Sequence, residues 1–391
     1  MLVPQGFSFA VAQAGFKREG RDDLAAVVSH GPAASAGVFT TNLFKAAPVV
    51  VGMQAIAASS TARAVLINSG QANACTGEPG LADCRESLEL AGAALGLEPG
   101  DILPMSTGVI GPRLRLDRWR AAVGPLGGSL GQAGPLEAAK AIMTTDSFPK
   151  VSWARVGETP AVVLGLCKGA GMICPDMATM LGVVLTDAEV DAGTWRRMLA
   201  QAVDESFNRI TVDGDTSTND CVFGLAGGAS GVEVADEESA QALYEALVEV
   251  CQDLAYMIVQ DAEGGTKVMR ISVGGAVDDA QAELAVRAVG HSPLVKTALY
   301  GKDANWGRIA AALGRSGAEF DPAAVTIAIG GEVIFEGGRP VDLDIDAIMA
   351  PVLRRQDVDI EVTLGEGPGG AVLLASDLTH EYISINADYR S

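Results

Sequence analysis

Short apolar runs, each broken by glycine, serine or asparagine, alternate along this chain with stretches whose apolar residues return every three or four positions. The first pattern marks buried strands and the second amphipathic helices. Ala64-Val65-Leu66-Ile67-Asn68 predicts a strand that runs into the loop Ser69–Gly77. Leu81, Cys84, Leu88 and Ala91 then form one face of a helix. Asp101-Ile102-Leu103-Pro104-Met105 is a second strand-like piece, delivered into the loop 106–112. Val151–Val156 and Ala161–Cys167 read as facing strands turned by Gly157-Glu158-Thr159-Pro160. Met180–Leu185 is a further buried strand. Trp195, Met198, Leu199, Ala202 and Val203 predict a helix from about Asp191, and Leu243, Leu247, Val250, Leu254, Met257 and Ile258 a longer one over 237–260. Toward the C-terminus, Val325–Ile329 and Val333–Phe335 form a hairpin pattern around Gly330-Gly331. Ile360–Leu364 and Ala371–Leu374 form another around the Gly/Pro run 365–370. Tyr382-Ile383-Ser384-Ile385 reads as a last strand. Strands and helices interleave throughout, so the expected class is α/β.

Composition narrows the partners. Of 391 residues 48% are hydrophobic and 20% charged, as in a globular protein with a large core. Glycine reaches 47 residues while aromatics make up 5%, which suits close backbone approach to small ligands better than stacking on bases. The net charge of −21 is uneven: residues 1–178 hold 14 groups of each sign, and residues 179–391 carry the whole excess. Neither nucleic acid nor an anionic membrane surface is an expected partner. Six cysteines without a CxxC pair and three scattered histidines give no metal site. The start Met-Leu-Val-Pro-Gln-Gly has no basic residue before its apolar ones, and no uncharged apolar run reaches spanning length. A reduced, cytoplasmic enzyme without cofactor is the expectation. Gly169-Ala170-Gly171 lacks the third glycine and the following helix of a dinucleotide loop.

Several loops share small residues, hydroxyls and amides: Asn68–Gly77, Ser106–Gly111, Met143–Ser147, Lys168–Met180, Val212–Asp220 and Asp261–Lys267. Asp213, Asp215 and Asp220 break the spacing of a calcium loop after Asp215, so a structural loop is the better reading. The junction Ala178-Thr179 carries the most chemistry. A threonine hydroxyl hardly ionises at neutral pH. With the backbone cut just before it, the new α-amine (pKa about 7.7–8.0) lies beside its own Oγ. One residue then supplies nucleophile and general base. Locally, the same segment also reads as a glycine-rich loop entering a buried strand.

The segments KGAGMICPDMATML, VDGDTSTND, INSGQANACTG, QDAEGGTK and GKDANWGRIAAALGRSG resemble, in order and over nearly the full length, the arginine-biosynthesis family of ornithine acetyltransferases (glutamate N-acetyltransferases). The resemblance implies a two-subdomain sandwich of mixed sheets flanked by helices. It also implies self-cleavage between Ala178 and Thr179 into an α chain (1–178) and a β chain (179–391), paired as α₂β₂. It makes Thr179 the nucleophile of a ping-pong acetyl transfer from N-acetylornithine to glutamate, with acetyl-CoA left open as a second donor. Thr107 and Gly108 are then the oxyanion donors. Thr145 (with Thr144 as its twin), Lys168, Glu263, Asn386 and Ser391 are the substrate contacts. Three positions depart from the family pattern: Asp176 and Gln71 stand for asparagine, and Ala304 for proline. Two other readings remain: an N-terminal-nucleophile amidohydrolase or aminopeptidase, and an uncleaved small-molecule binding module.

Overall fold

A computed structural model of the chain describes residues 1–17, 20–174 and 180–388. Ala178 and Thr179 therefore lie outside the described residues, as does Ser391. The chain forms two compact units, one from residues 1–208 and 215–258, the other from 209–214 and 259–388. The expected division at Ala178 concerns covalent chains and is a separate matter from these units.

The strands of the first unit are β1 (Phe7–Ala12), β2 (Leu24–Phe39), β3 (Thr61–Gln71), β4 (Ile102–Val109), β5 (Lys150–Arg155), β6 (Val162–Lys168) and β7 (Leu181–Thr186). After β8 (Ile210–Thr211), which belongs to the second unit, comes β9 (Cys221–Ala226). They build one mixed sheet in the order β4-β3-β2-β9-β7-β6-β5, with β1 added to β2. Both faces of this sheet are covered. Ala25, Val27, Val65, Ile67 and Leu103 enter one core, while Leu24, Ala26, Val28, Ala64, Leu66 and Ile102 enter another. Alternate residues of one strand thus serve opposite cores. This is why Ala64–Ile67 reads as a continuous apolar run rather than an alternating one.

The helices of this unit are α1 (Ala47–Ala58), α2 (Gly77–Leu95), α3 (Leu116–Gly128), α4 (Pro135–Ile142), α5 (Ala192–Asp204) and α6 (Glu237–Gln260). Cys84 and Leu88 of α2 join Trp119 of α3 on one face, and Ala138 and Ile142 of α4 cover the other. The predicted α5 and α6 are present. Asp191 caps α5 by accepting from the Thr194 amide at 3.0 Å. Helix α6 lies close over β6 because Gly165 leaves room: a β-carbon there would come within 2.6–2.7 Å of Leu254 and Val250. Part of the glycine excess therefore serves helix–sheet contact as well as turns. The predicted pair β5/β6 is antiparallel, with Lys150 opposite Cys167 and Arg155 opposite Val162.

The second unit has the sheet order β13-β12-β11-β14-β10-β15-β8. Its strands are β10 (Val268–Ala276), β11 (Thr326–Ile329), β12 (Glu332–Glu336), β13 (Arg339–Pro340), β14 (Asp357–Thr363) and β15 (Gly369–Ser376). The hairpin β11/β12 is as predicted. The second predicted hairpin is not one. β14 and β15 flank β10 on opposite sides, parallel and antiparallel to it respectively. The 365–370 connection is long enough to step over β10, whose Gly275 (φ +70°) sits where a β-carbon would be 2.1 Å from the Gly365 oxygen. Helices α7 (Asp279–Gly290), α8 (Pro293–Tyr300), α9 (Trp306–Gly314) and α10 (Ile345–Val352) supply Ala285, Val289, Leu299, Leu313 and Met349 to this unit's core.

The last element, α11 (His380–Asp388), is a helix where a strand was expected. Thr379 explains it: its Oγ1 accepts from the Tyr382 amide at 3.2 Å, which starts a helix. Tyr382 and Ile385, three residues apart, are half-buried on one face, whereas Ile383 is 62% exposed. Both units are α/β, with mixed sheets flanked by helices. Among the described residues no helix is long and apolar enough to cross a membrane.

Candidate active site

Thr107 and Gly108 do not sit in a loop, as their hydroxyl- and glycine-rich context suggests. They continue β4, in parallel register with Ser69 and Gly70 of β3. Among the described residues β4 is the edge of its sheet, and one side of its backbone faces no further strand. Gly108 has φ +129°, and a β-carbon there would lie 2.3 Å from the Gly70 carbonyl carbon. Only glycine fits. The main chain at this edge is thus shaped by close backbone contact with β3.

Lys168 ends β6 and is only 7% exposed, so it is not a solvated surface lysine. Its Nζ lies 3.3 Å from Thr107 Oγ1. It also stands opposite Leu181, two positions past Thr179. The residues flanking the undescribed segment are anchored in this unit. The Cys174 carbonyl accepts from Thr216 Oγ1 at 3.0 Å, and the Met180 carbonyl accepts from the Cys221 amide at 3.3 Å.

The charge that balances Lys168 comes from Asp146, a residue the sequence patterns left without a role. Its buried carboxylate accepts from Lys150 Nζ at 2.8 Å, from the Thr144 amide at 2.9 Å and from the Gly169 amide at 2.7 Å. Burial pushes its pKa upward. The charges of Lys168 and Lys150, with these hydrogen bonds, outweigh that and bring it to about 2. Asp146 therefore stays ionised and ties the residue after Lys168 to the Thr144–Thr145 turn. Thr145, half-buried, sits between those two anchor points in the chain.

A second missed residue is Lys17, whose Nζ donates to the carbonyls of Ala141 (2.9 Å) and Met143 (2.5 Å). Burial lowers its pKa to about 8 against the opposing pull of Asp23 and Asp146, while Arg21 and Lys168 reinforce the lowering. Lys17 acts through contacts distant in the chain, and Asp146 reaches the residue after Lys168 across 23 positions, so no short-range sequence signal marks either role.

In the second unit, Asn386 on α11 donates from Nδ2 to Glu263 Oε2 at 2.8 Å. These two predicted contacts are thus brought together. The loop carrying Glu263 is fixed by Asp377, which accepts from the amides of Thr266 (2.8 Å) and Lys267 (3.1 Å). Thr379 Oγ1 also donates to the Gly264 carbonyl at 2.8 Å. Among the described residues no cluster of His, Cys, Asp and Glu is arranged to hold a metal ion. Asp213 of the supposed calcium loop instead accepts from the Tyr382 hydroxyl at 3.2 Å.

The model of the ArgJ family matches residues 8–391. The chain belongs to this family. An arginine biosynthesis bifunctional protein of Nitratidesulfovibrio vulgaris is 57% identical over 390 residues, covering 99% of both chains. The protein of the same name from Geobacter sulfurreducens is 46% identical over 392 residues, again covering 99% of each. A crystal structure of the arginine biosynthesis bifunctional protein from Bacillus halodurans is 42% identical with a TM-score of 0.52, covering 54% of this chain and 100% of its own. Membership in the ArgJ family makes the chain an arginine-biosynthesis enzyme of the acyltransferase class, and Lys168, Thr107 and Gly108 are the candidate site residues brought together in its first unit.

Proposed function

We propose that this chain is a glutamate N-acetyltransferase that moves acetyl from N-acetylornithine to glutamate through an acetyl ester on Thr179. The observation that carries the reading is the 3.3 Å approach of Lys168 Nζ to Thr107 Oγ1, on a strand edge that only Gly108 can complete. A cation, a hydroxyl and an open main-chain edge meet where an acyl-transfer site needs an anion anchor and donors for a developing oxyanion.

The chemistry runs in two halves, after Thr179 Oγ has attacked the Ala178 carbonyl and water has hydrolysed the resulting ester. The freed α-amine of Thr179 takes the proton of its own Oγ, which attacks the acetyl carbonyl of N-acetylornithine. Thr107 Oγ1 and the Gly108 N–H receive the negative charge on oxygen. The C–N bond breaks, and ornithine leaves with the proton held by the Thr179 ammonium. The amine of glutamate then attacks the ester, takes the acetyl group and returns the proton to Thr179 Oγ. In this reading Lys168 anchors the substrate α-carboxylate, Thr145 adds a hydroxyl contact, Glu263 receives the substrate amine, and Asn386 and Ser391 are further substrate contacts. The α₂β₂ assembly belongs to the same reading.

Thr179→Ala is expected to leave one uncut chain without transfer activity, read by intact mass and by acetylornithine turnover. Glutamate should accelerate that turnover in the wild type. A turnover indifferent to glutamate would mean hydrolysis and sink the transferase reading. Parallel assays with acetylornithine and acetyl-CoA as donor establish whether the enzyme takes one donor or two.

A further inference from the structure

The motif Val212–Asp220 has no part in the chemistry above, yet its Asn219 reaches the same strand edge. Asn219 is 5% exposed. Its Nδ2 donates to the Ser106 carbonyl at 2.8 Å and to the Ala72 carbonyl at 2.6 Å. Its Oδ1 accepts from Thr218 Oγ1 at 2.7 Å, and its own amide donates to Ser217 Oγ at 3.1 Å. The Ser106 carbonyl belongs to the same peptide group as the Thr107 N–H, directly before the Thr107–Gly108 pair. Ala72 follows Gly70 by two positions on the neighbouring chain segment. The two carbonyls thus lie on either side of the Gly70–Gly108 register pair, and one carboxamide spans it.

We infer that Asn219 is the positioning residue that sets the geometry of the Thr107–Gly108 donors. The inference rests on the reading of those two residues as oxyanion donors. Its physical basis is stiffness. A strand edge lacks a second partner strand, so ladder bonds hold it from one side alone. Asn219 supplies the missing restraint. It is itself held firmly, because its segment leads directly into β9 near the sheet centre. There Thr40 Oγ1 donates to the Ser217 carbonyl at 2.8 Å, and the Thr40 amide to the Asp220 carbonyl at 3.0 Å. A supporting network completes the edge: Ser106 Oγ donates to Asn68 Oδ1 at 2.6 Å, and Asn68 Nδ2 to the Gln71 carbonyl at 2.9 Å. An aspartate at 219 would keep the shape of the side chain but lose both donors. It would also turn a carboxylate toward two carbonyl oxygens.

Misplacing a catalytic group by about 1 Å costs on the order of 10²-fold in rate. Asn219→Asp, measured on material cut at Ala178-Thr179, is therefore expected to lose about that factor in kcat while KM for acetylornithine stays within about twofold. A folded variant that remains uncut supports the same conclusion, since cleavage also passes through an oxyanion formed by attack of Thr179 Oγ, there on the Ala178 carbonyl. Asn219→Ser, which keeps one donor on a shorter arm, should lose less, and it carries the test where the Asp variant is not recovered folded.

The decisive measurement is a double-mutant cycle with Thr107→Ala. If Asn219 acts through the donors, the double variant loses less than the product of the two single losses. Multiplicative losses, or Asn219 variants that melt lower yet keep wild-type kcat, overturn the inference and leave the donor reading intact. A Thr107→Ala enzyme with wild-type kcat would instead overturn the donor reading itself.

Discussion

The candidate residues of the first unit and those of the second are held by different physics. Lys168, Asp146 and Lys150 are buried, and each charge is met by an opposite charge or a main-chain amide. Glu263 and Asn386 form one hydrogen bond at the exposed end of a helix, in a loop pinned by Asp377. A buried ionic cluster has one workable arrangement, because any displaced charge stays uncompensated in a poorly polarisable interior. A surface amide–carboxylate pair is exchanged for water at little cost. The first arrangement suits chemistry that depends on fixed atoms. The second suits contacts that must open and close around a substrate.

Four changes test that contrast, in order of expected size. Lys150→Met leaves Asp146 ionised without its nearest cation and should destabilise the protein by roughly 3–5 kcal/mol, visible as a large drop in Tm. A loss below about 1 kcal/mol would show the cluster to be solvated after all. Gly108→Ala forces the edge away from Gly70 and should reduce transfer by at least about 10²-fold, measured as kcat on cleaved enzyme.

Acid tests the same cluster from another side. The Asp146 pKa lies below its ordinary value, so its contribution to stability is complete above about pH 4 and is lost as the pH falls toward 2. Denaturant titrations across that window should lose roughly 2 kcal/mol in the wild type, and Asp146→Asn should flatten the slope. Smallest is Asn386→Ala. It should cost no more than about 1 kcal/mol of stability while raising KM for acetylornithine. A large fall in Tm there would break the contrast between the two regions.

The same contrast explains what was legible in the sequence. Helix α6 could be read end to end because its apolar residues keep one helical face from Leu243 to Ile258, and β5/β6 because a Gly/Pro turn separates two apolar runs. The strand ends at 69–71 and 106–109 were not visible, because glycine, serine and threonine read locally as loop. There it is the β3/β4 ladder that imposes strand geometry. The hairpin wrongly expected at 360–374 failed for a related reason: a strand distant in sequence, β10, inserts between its two halves. α11 was missed through the alternation of Ile383 and Ile385, when the deciding signal was the cap at Thr379. For the site, family motifs pointed to the candidate substrate contacts. Asp146, Lys17 and Asn219 hold those residues through contacts with segments far away in the chain, which no spacing rule records.

One feature of the first sheet bears on how the protein is made. β7 begins at Leu181 and lies between β6 and β9, hydrogen-bonded on both sides along its whole length. A backbone break between Cys174 and Met180 would leave the β6/β7 and β7/β9 ladders intact and the two pieces as interior neighbours in one sheet. Such pieces could not be produced separately and mixed, because each alone would expose unpaired strand edges and half a core. A chain divided there would have to be synthesised whole and folded first. Separating the pieces afterwards would cost as much as unfolding the unit.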